Sequence, residues 1–105
     1  YYDEAIRRAK EAMKYGTLKA IIWHQGEADC HHPEAYKEKI IQLMTDLRND
    51  LGMPDLPVVV GQIAQWNWTK KPYIPEGTKP FNDMIKEIST FLLFSACVSP
   101  KDLLR

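Results

Sequence analysis

The chain has 105 residues, with 14 Lys+Arg balanced by 14 Asp+Glu, so its formal charge is zero. That balance leaves no basic surplus to neutralise a phosphate backbone or an anionic bilayer, which argues against nucleic acid and membrane surfaces as partners. The longest apolar runs, such as Phe91-Leu92-Leu93-Phe94, are far too short to span a membrane.

The length suffices for one small domain and not for two. Its 45% hydrophobic and 27% charged residues are those of an ordinary globular protein. Two cysteines, Cys30 and Cys97, permit at most one disulfide. We expect both to be free thiols, the first in a loop and the second buried. The chain opens on Tyr1 and shows no signal peptide, which suggests that it starts partway through a longer protein and leaves the compartment open.

Helical and extended patterns alternate along the chain. From Asp3 to Tyr15 the residues Ala5, Ile6, Ala9, Ala12 and Met13 recur at helical spacing, and Gly16 is placed to cap the C-terminus. Leu18 to Trp23 is mostly apolar and reads as a strand buried on both faces, as in a parallel sheet. Pro33 suits a first helical turn, because its missing N–H would have no helical partner there. Tyr36, Ile40, Leu43, Met44, Leu47 and Leu51 then form one apolar stripe, closed by Gly52.

Leu56 to Ile63, centred on Val58-Val59-Val60, is the second buried-strand candidate. Residues 65–80 read as a polar and aromatic loop containing Trp66, Trp68 and Tyr73. Phe81, Met84, Ile85, Ile88 and Leu92 predict a third helix, and Ser95 to Ser99 a third short strand. This order predicts an α/β fold with right-handed crossovers and a parallel sheet. Three strands leave both sheet edges open, so the pattern calls for a larger domain.

Ligands of open α/β sheets gather where loops leave the carboxyl ends of the strands. The loop after the first strand, Trp23-His24-Gln25-Gly26-Glu27-Ala28-Asp29-Cys30-His31-His32, is the most polar stretch of the chain. Gly26 permits a sharp turn or a close approach to a ligand. Gln25 offers an amide donor of the kind that stabilises an oxyanion. Glu27 can orient neighbouring groups or accept hydrogen bonds from loop amides.

Trp23 to Asp29 resembles the W-x-Q-G-E-[SA]-D signature of the SGNH-type carbohydrate esterases, the sialate O-acetylesterase and acetylxylan esterase relatives. The match continues through Tyr36, Leu47-Arg48, Asp50-Leu51-Gly52 and Pro54-Asp55-Leu56-Pro57. It then runs through Val58-Val59-Val60-Gly61-Gln62, Asn82 and Ser95 to Ser99, covering most of the chain in the family's order.

The resemblance implies a three-layer α/β/α fold with a parallel sheet, of which residues 1–105 form one incomplete domain. It implies hydrolysis of O-acetyl groups from a carbohydrate through an acyl-serine, without metal or organic cofactor. Gln25 would line the oxyanion hole, with Gly26 and Glu27 organising its loop. The family's G-Q-S-N-like serine block and its D-x-x-H block have no counterpart here; Asp102-x-x-Arg105, with arginine in place of histidine, is a coincidence, because the family's block lies farther on. The nucleophile and the Asp/His pair are thus expected from the rest of the same hydrolase domain, and this stretch alone to be inactive.

Competing readings attach to the same residues. His24, Cys30, His31 and His32 are zinc-binding types, but their spacing fits no usual structural zinc pattern. Ser89, Ser95 and Ser99 lack the glycine-bounded sharp turn of a nucleophile and are taken as structural. His24, read as a packed or hydrogen-bonded residue beside the site, is a candidate substrate contact together with Trp66 and Trp68. The two tryptophans suit either a sugar-stacking platform or a cover for the sheet. A catalytically inactive carbohydrate-binding remnant or a functionless truncated relic are the alternatives to an enzyme.

Overall fold

A computed structural model describes residues 1–64 and 75–100. The elements run α1 (Tyr2–Ala12), β1 (Ile21–Trp23), α2 (Pro33–Asp50), β2 (Val58–Gly61), α3 (Pro75–Lys86), α4 (Ile88–Phe91) and β3 (Ser95–Val98). The three strands form one parallel sheet in the order β1-β2-β3. Ile21, Ile22 and Trp23 lie opposite Val58, Val59 and Val60, and Val58 to Gly61 lie opposite Ser95 to Val98. The α/β class expected from the sequence is the one observed.

Paired residues share a face of the sheet. On one face lie Ile21, Trp23, Val58, Val60 and Cys97, packed with Tyr36, Ile40 and Met44 of α2 and with Phe81, Ile85, Ile88 and Leu92. The opposite face carries Ile22, Val59, Ala96 and Val98, of which Ile22 is 84% exposed and Val98 56%. Burial of these strands on both faces is therefore not what the chain shows. The reason is topological. Strands added always in one direction through crossovers of one hand place every crossover helix on the same side. Covering the second face requires the winding to reverse, and nothing among the described residues does so.

The helices depart from their sequence patterns mainly at their ends. Helix α1 is supported by Glu4, whose carboxylate takes hydrogen bonds from Arg7 at 2.7 and 2.8 Å and from Arg8 at 2.8 Å. It stops at Ala12 without using Gly16, because two tight turns, Lys14 N to Glu11 O and Tyr15 N to Ala12 O, unwind it first. Helix α2 ends where its glycine stands. Gly52, at φ +67, donates to the Asn49 carbonyl at 3.1 Å, and Met53 donates to the Arg48 carbonyl at 2.8 Å. Those two bonds are the Schellman pattern, and they need a residue at ease with positive φ.

Helix α3 begins at Pro75, inside the segment read as loop, and accommodates Pro80 within it. The predicted third helix also breaks at Glu87 into α3 and α4. Thr90 bonds the Glu87 carbonyl through both its amide (2.9 Å) and its hydroxyl (2.7 Å), an arrangement that competes with continuous helix. The cysteines also exchange their expected places. Cys30 turns from its polar loop into the core at 6% exposure, while Cys97 on β3 is only partly buried.

At the amino ends of the strands, the side chain of Arg48 is buried. Its Nε and one terminal nitrogen donate to the Leu56 carbonyl at 3.0 and 2.8 Å, and the same nitrogen reaches Leu93 O at 2.7 Å and Phe94 O at 3.3 Å. Phe94 holds φ +54, costly for a bulky residue, and its carbonyl also accepts from Val58 N at 2.9 Å. One planar guanidinium thus joins the entries to β2 and β3. Replacing Arg48 by Ala leaves these carbonyls short of donors and is expected to cost about 3 kcal/mol in urea unfolding. Lys, with a compact ammonium in place of the fork, should recover only part of it.

Candidate active site

The carboxyl ends of β1 and β2 lie side by side, and the loops leaving them meet the start of α3's buried face. After Trp23 the chain turns through two overlapping hydrogen-bonded turns, Asp29 N to Gly26 O at 3.1 Å and His32 N to Asp29 O at 3.0 Å. Gly26 is buried and sits at φ +151, where side chains are disfavoured. A Cβ at this position would lie 2.3 Å from Cζ of Phe81. The glycine therefore serves a close approach, with an aromatic ring of the protein itself filling the space.

Phe81 is held in turn by Tyr36, whose ring meets it edge to face at 4.7 Å between centroids and 72° between planes. The Tyr36 hydroxyl accepts a hydrogen bond from Trp23 Nε1 at 3.0 Å and donates to the Gln25 carbonyl at 2.9 Å. Burial pushes the Tyr36 hydroxyl pKa above its ordinary value. The Trp23 bond works in the opposite direction, and the charges of Asp29 and Glu27 add to the rise. Trp23 and Tyr36 thus fix the backbone of Gln25, while its side-chain Nε2 donates to Asp29 Oδ2 at 3.0 Å.

Trp23, Gln25, Asp29, Tyr36, Lys39, Ile40 and Leu43 line an open cleft of about 160 Å³ between β1 and α2. On the other side, the exposed ring of His24 lies across the end of β2. A Cβ on Gly61 would approach His24 Cδ2 to 3.0 Å, so a side chain there would displace the His24 ring by a few tenths of an ångström. The loop after β2 is fastened by buried Asn82. Its Oδ1 accepts from Ile63 N at 2.9 Å and its Nδ2 donates to Ile63 O at 3.0 Å, while Gln62 Nε2 donates to the Asn82 carbonyl at 3.0 Å.

The structure thus brings Gln25, Gly26 and His24 to one corner of the sheet, with exposed Glu27 at the rim. Trp66 and Trp68 lie outside the described residues. Cys30 points into the core while His31 and His32 are exposed, so these side chains diverge. Among the described residues, no three His, Cys, Asp or Glu side chains are grouped to hold a metal. Ser95 Oγ is engaged with the Leu92 carbonyl at 2.5 Å, and Ser89 is exposed on α4. The structure gives Asp29, Tyr36 and Asn82 roles that the motif alone does not assign. Their signals were a carboxylate four residues after the amide and polar groups within otherwise apolar helical stripes.

The family model for carbohydrate esterases described as sialic acid-specific acetylesterase matches residues 1–104. The chain belongs to that carbohydrate esterase family. It is 37% identical over 67 residues to a probable carbohydrate esterase of Arabidopsis thaliana, a match covering 60% of this chain and 26% of the relative. The solved X-ray structure of the protein from the same Arabidopsis locus superposes with a TM-score of 0.71 at 29% identity. That superposition covers 99% of this chain and 41% of the solved one. The chain therefore spans well under half the length of the proteins it matches.

Three substitutions check the geometry of this esterase-family loop. Gly26→Ala meets both the Phe81 ring and an unfavourable φ, and should lower stability by about 3 kcal/mol in urea unfolding. Phe81→Leu in the same chain should relieve part of that loss. Tyr36→Phe leaves Trp23 Nε1 and the Gln25 carbonyl without their shared partner, and should cost about 1–3 kcal/mol at neutral pH. Since the folded state holds the Tyr36 proton more tightly, that stabilisation is complete below the free tyrosine pKa of about 10. It fades as pH rises through the higher folded value. Tyr36→Phe should flatten that alkaline loss in unfolding followed from pH 8 to 12.

Proposed function

We propose that this chain contributes the oxyanion-binding corner of a hydrolase that removes O-acetyl groups from a carbohydrate. Sialates are the substrate in the description of the matching family, and acetylated xylan is the alternative raised by the sequence resemblance. The observation that carries the reading is Gln25, its backbone braced by Tyr36. Its amide is presented at the carboxyl end of a parallel strand, within a chain of carbohydrate esterase family. The fold type is the SGNH hydrolase, with the second sheet face and the open edges covered by the remainder of the same domain.

In this reading a serine outside residues 1–105 attacks the acetyl carbonyl while a histidine, oriented by an aspartate, takes its proton. The carbonyl oxygen becomes an oxyanion and accepts a hydrogen bond from the Gln25 amide. Collapse expels the sugar hydroxyl, which recovers the proton from histidine, and water then releases acetate from the acyl-serine. Gly26 and Glu27 shape the loop, and His24, Trp66 and Trp68 contact the sugar. Neither a metal nor an organic cofactor takes part.

The test is acetate release by the protein at its natural length. Gln25→Ala should lower kcat by ~10²–10³ with little change in KM, because the donor acts mainly on the charge that develops in the transition state. Unchanged kcat would remove Gln25 from the oxyanion hole.

A further inference from the structure

An amide side chain can stabilise an oxyanion only if it presents its nitrogen, and nothing in a glutamine itself decides which way the amide faces. Its NH₂ and its oxygen are nearly equal in size and exchange places by a half-turn about the last side-chain torsion. At Gln25 the neighbour is a carboxylate, Asp29 Oδ2, at 3.0 Å from Nε2. An ionised carboxylate accepts hydrogen bonds and donates none. The orientation with the amide oxygen toward Asp29 would set two acceptors against each other. The orientation with nitrogen toward it makes a charge-assisted bond.

From this we infer that Asp29 is a positioning residue for the oxyanion donor. It holds one N–H of Gln25 and leaves the second, about 120° away on the same nitrogen, for the reacting oxygen. The inference rests on the oxyanion reading of Gln25.

The backbone makes this contact reproducible. Asp29 closes the turn that opens at Gly26 and begins the next turn to His32, so its side chain is carried back toward Gln25. Gln25 is gripped from the other end by the Tyr36 hydroxyl on its carbonyl. Both Gln25 and Asp29 line the cleft between β1 and α2. The carboxylate does place a negative charge near the developing oxyanion. Asp29 is exposed, so water weakens that repulsion. Losing a correctly aimed donor costs ~10²–10³, and that is the loss the Asp29 contact guards against.

A double-mutant cycle on the protein at its natural length, read by hydrolysis of 4-nitrophenyl acetate, separates this role from others. Asp29→Ala should lower kcat about tenfold with KM unchanged, a fraction of the ~10²–10³ expected for Gln25→Ala. Asp29→Asn should recover only a small part of that loss, because its amide oxygen still accepts from Gln25 while its NH₂ equally favours the reversed amide. In the Gln25→Ala background, Asp29→Ala should have no further effect, since there is no amide left to aim.

Full activity of Asp29→Ala alongside a damaged Gln25→Ala would overturn the positioning role and leave the oxyanion reading standing. An equal loss from Asp29→Ala in both backgrounds would show that Asp29 acts through the fold and not through Gln25. Full activity of Gln25→Ala would sink both.

Discussion

No side chain fits between the backbone at Gly26 and the ring of Phe81, and the candidate site depends on that contact. Because the glycine lacks a Cβ, a loop from β1 comes into direct contact with a helix that follows β2. The ring occupying the gap is braced edge to face by Tyr36, which belongs to α2. Three elements far apart in sequence are thereby joined at one point. The polar end of Tyr36 then does a second job, satisfying Trp23 and fixing the Gln25 carbonyl in a largely apolar setting where an unpaired group is expensive. Packing and hydrogen bonding at this corner are one arrangement, and the half-buried Gln25 amide is its outcome.

The opposite end of the sheet is organised on a different principle. There Arg48 brings a buried cation to carbonyls of the segments entering β2 and β3, and among the described residues no carboxylate pairs with it. Carbonyl dipoles replace the water that the guanidinium lost, and the planar fork spans segments a lysine would reach singly. Asn82 does comparable work after β2, returning both hydrogen-bonding groups of Ile63 to a side chain as the strand leaves the ladder. The strands are short, three or four residues each, so such side-chain fastenings at their ends matter more than in a long sheet.

Much of the fold was legible because its signals are local. The β-branched core of β2, the proline that opens α2 and the glycine that closes it act through their own backbone preferences. Long-range competition was not legible. The break at Glu87 and the early end of α1 arise from tight turns that hydrophobic spacing does not register. The one-sided burial of the sheet was hidden because apolar runs record which surfaces need covering, not which segment covers them. At the site, the motif pointed to Gln25 and Gly26. The roles of Asp29, Tyr36 and Phe81 required knowing which side chains the turns bring together, as did the inward turn of Cys30.

The central claim is that the Gln25 amide, aimed by its neighbours, meets the oxyanion. It is tested most directly by a crystal structure of the protein at its natural length, bound to a phosphonate that mimics the tetrahedral intermediate. The account predicts Gln25 Nε2 at about 2.7–3.1 Å from the phosphonyl oxygen, with its bond to Asp29 retained and Tyr36 still on the Gln25 carbonyl. A phosphonyl oxygen held by other donors, with the Gln25 amide turned away from it, would contradict the account.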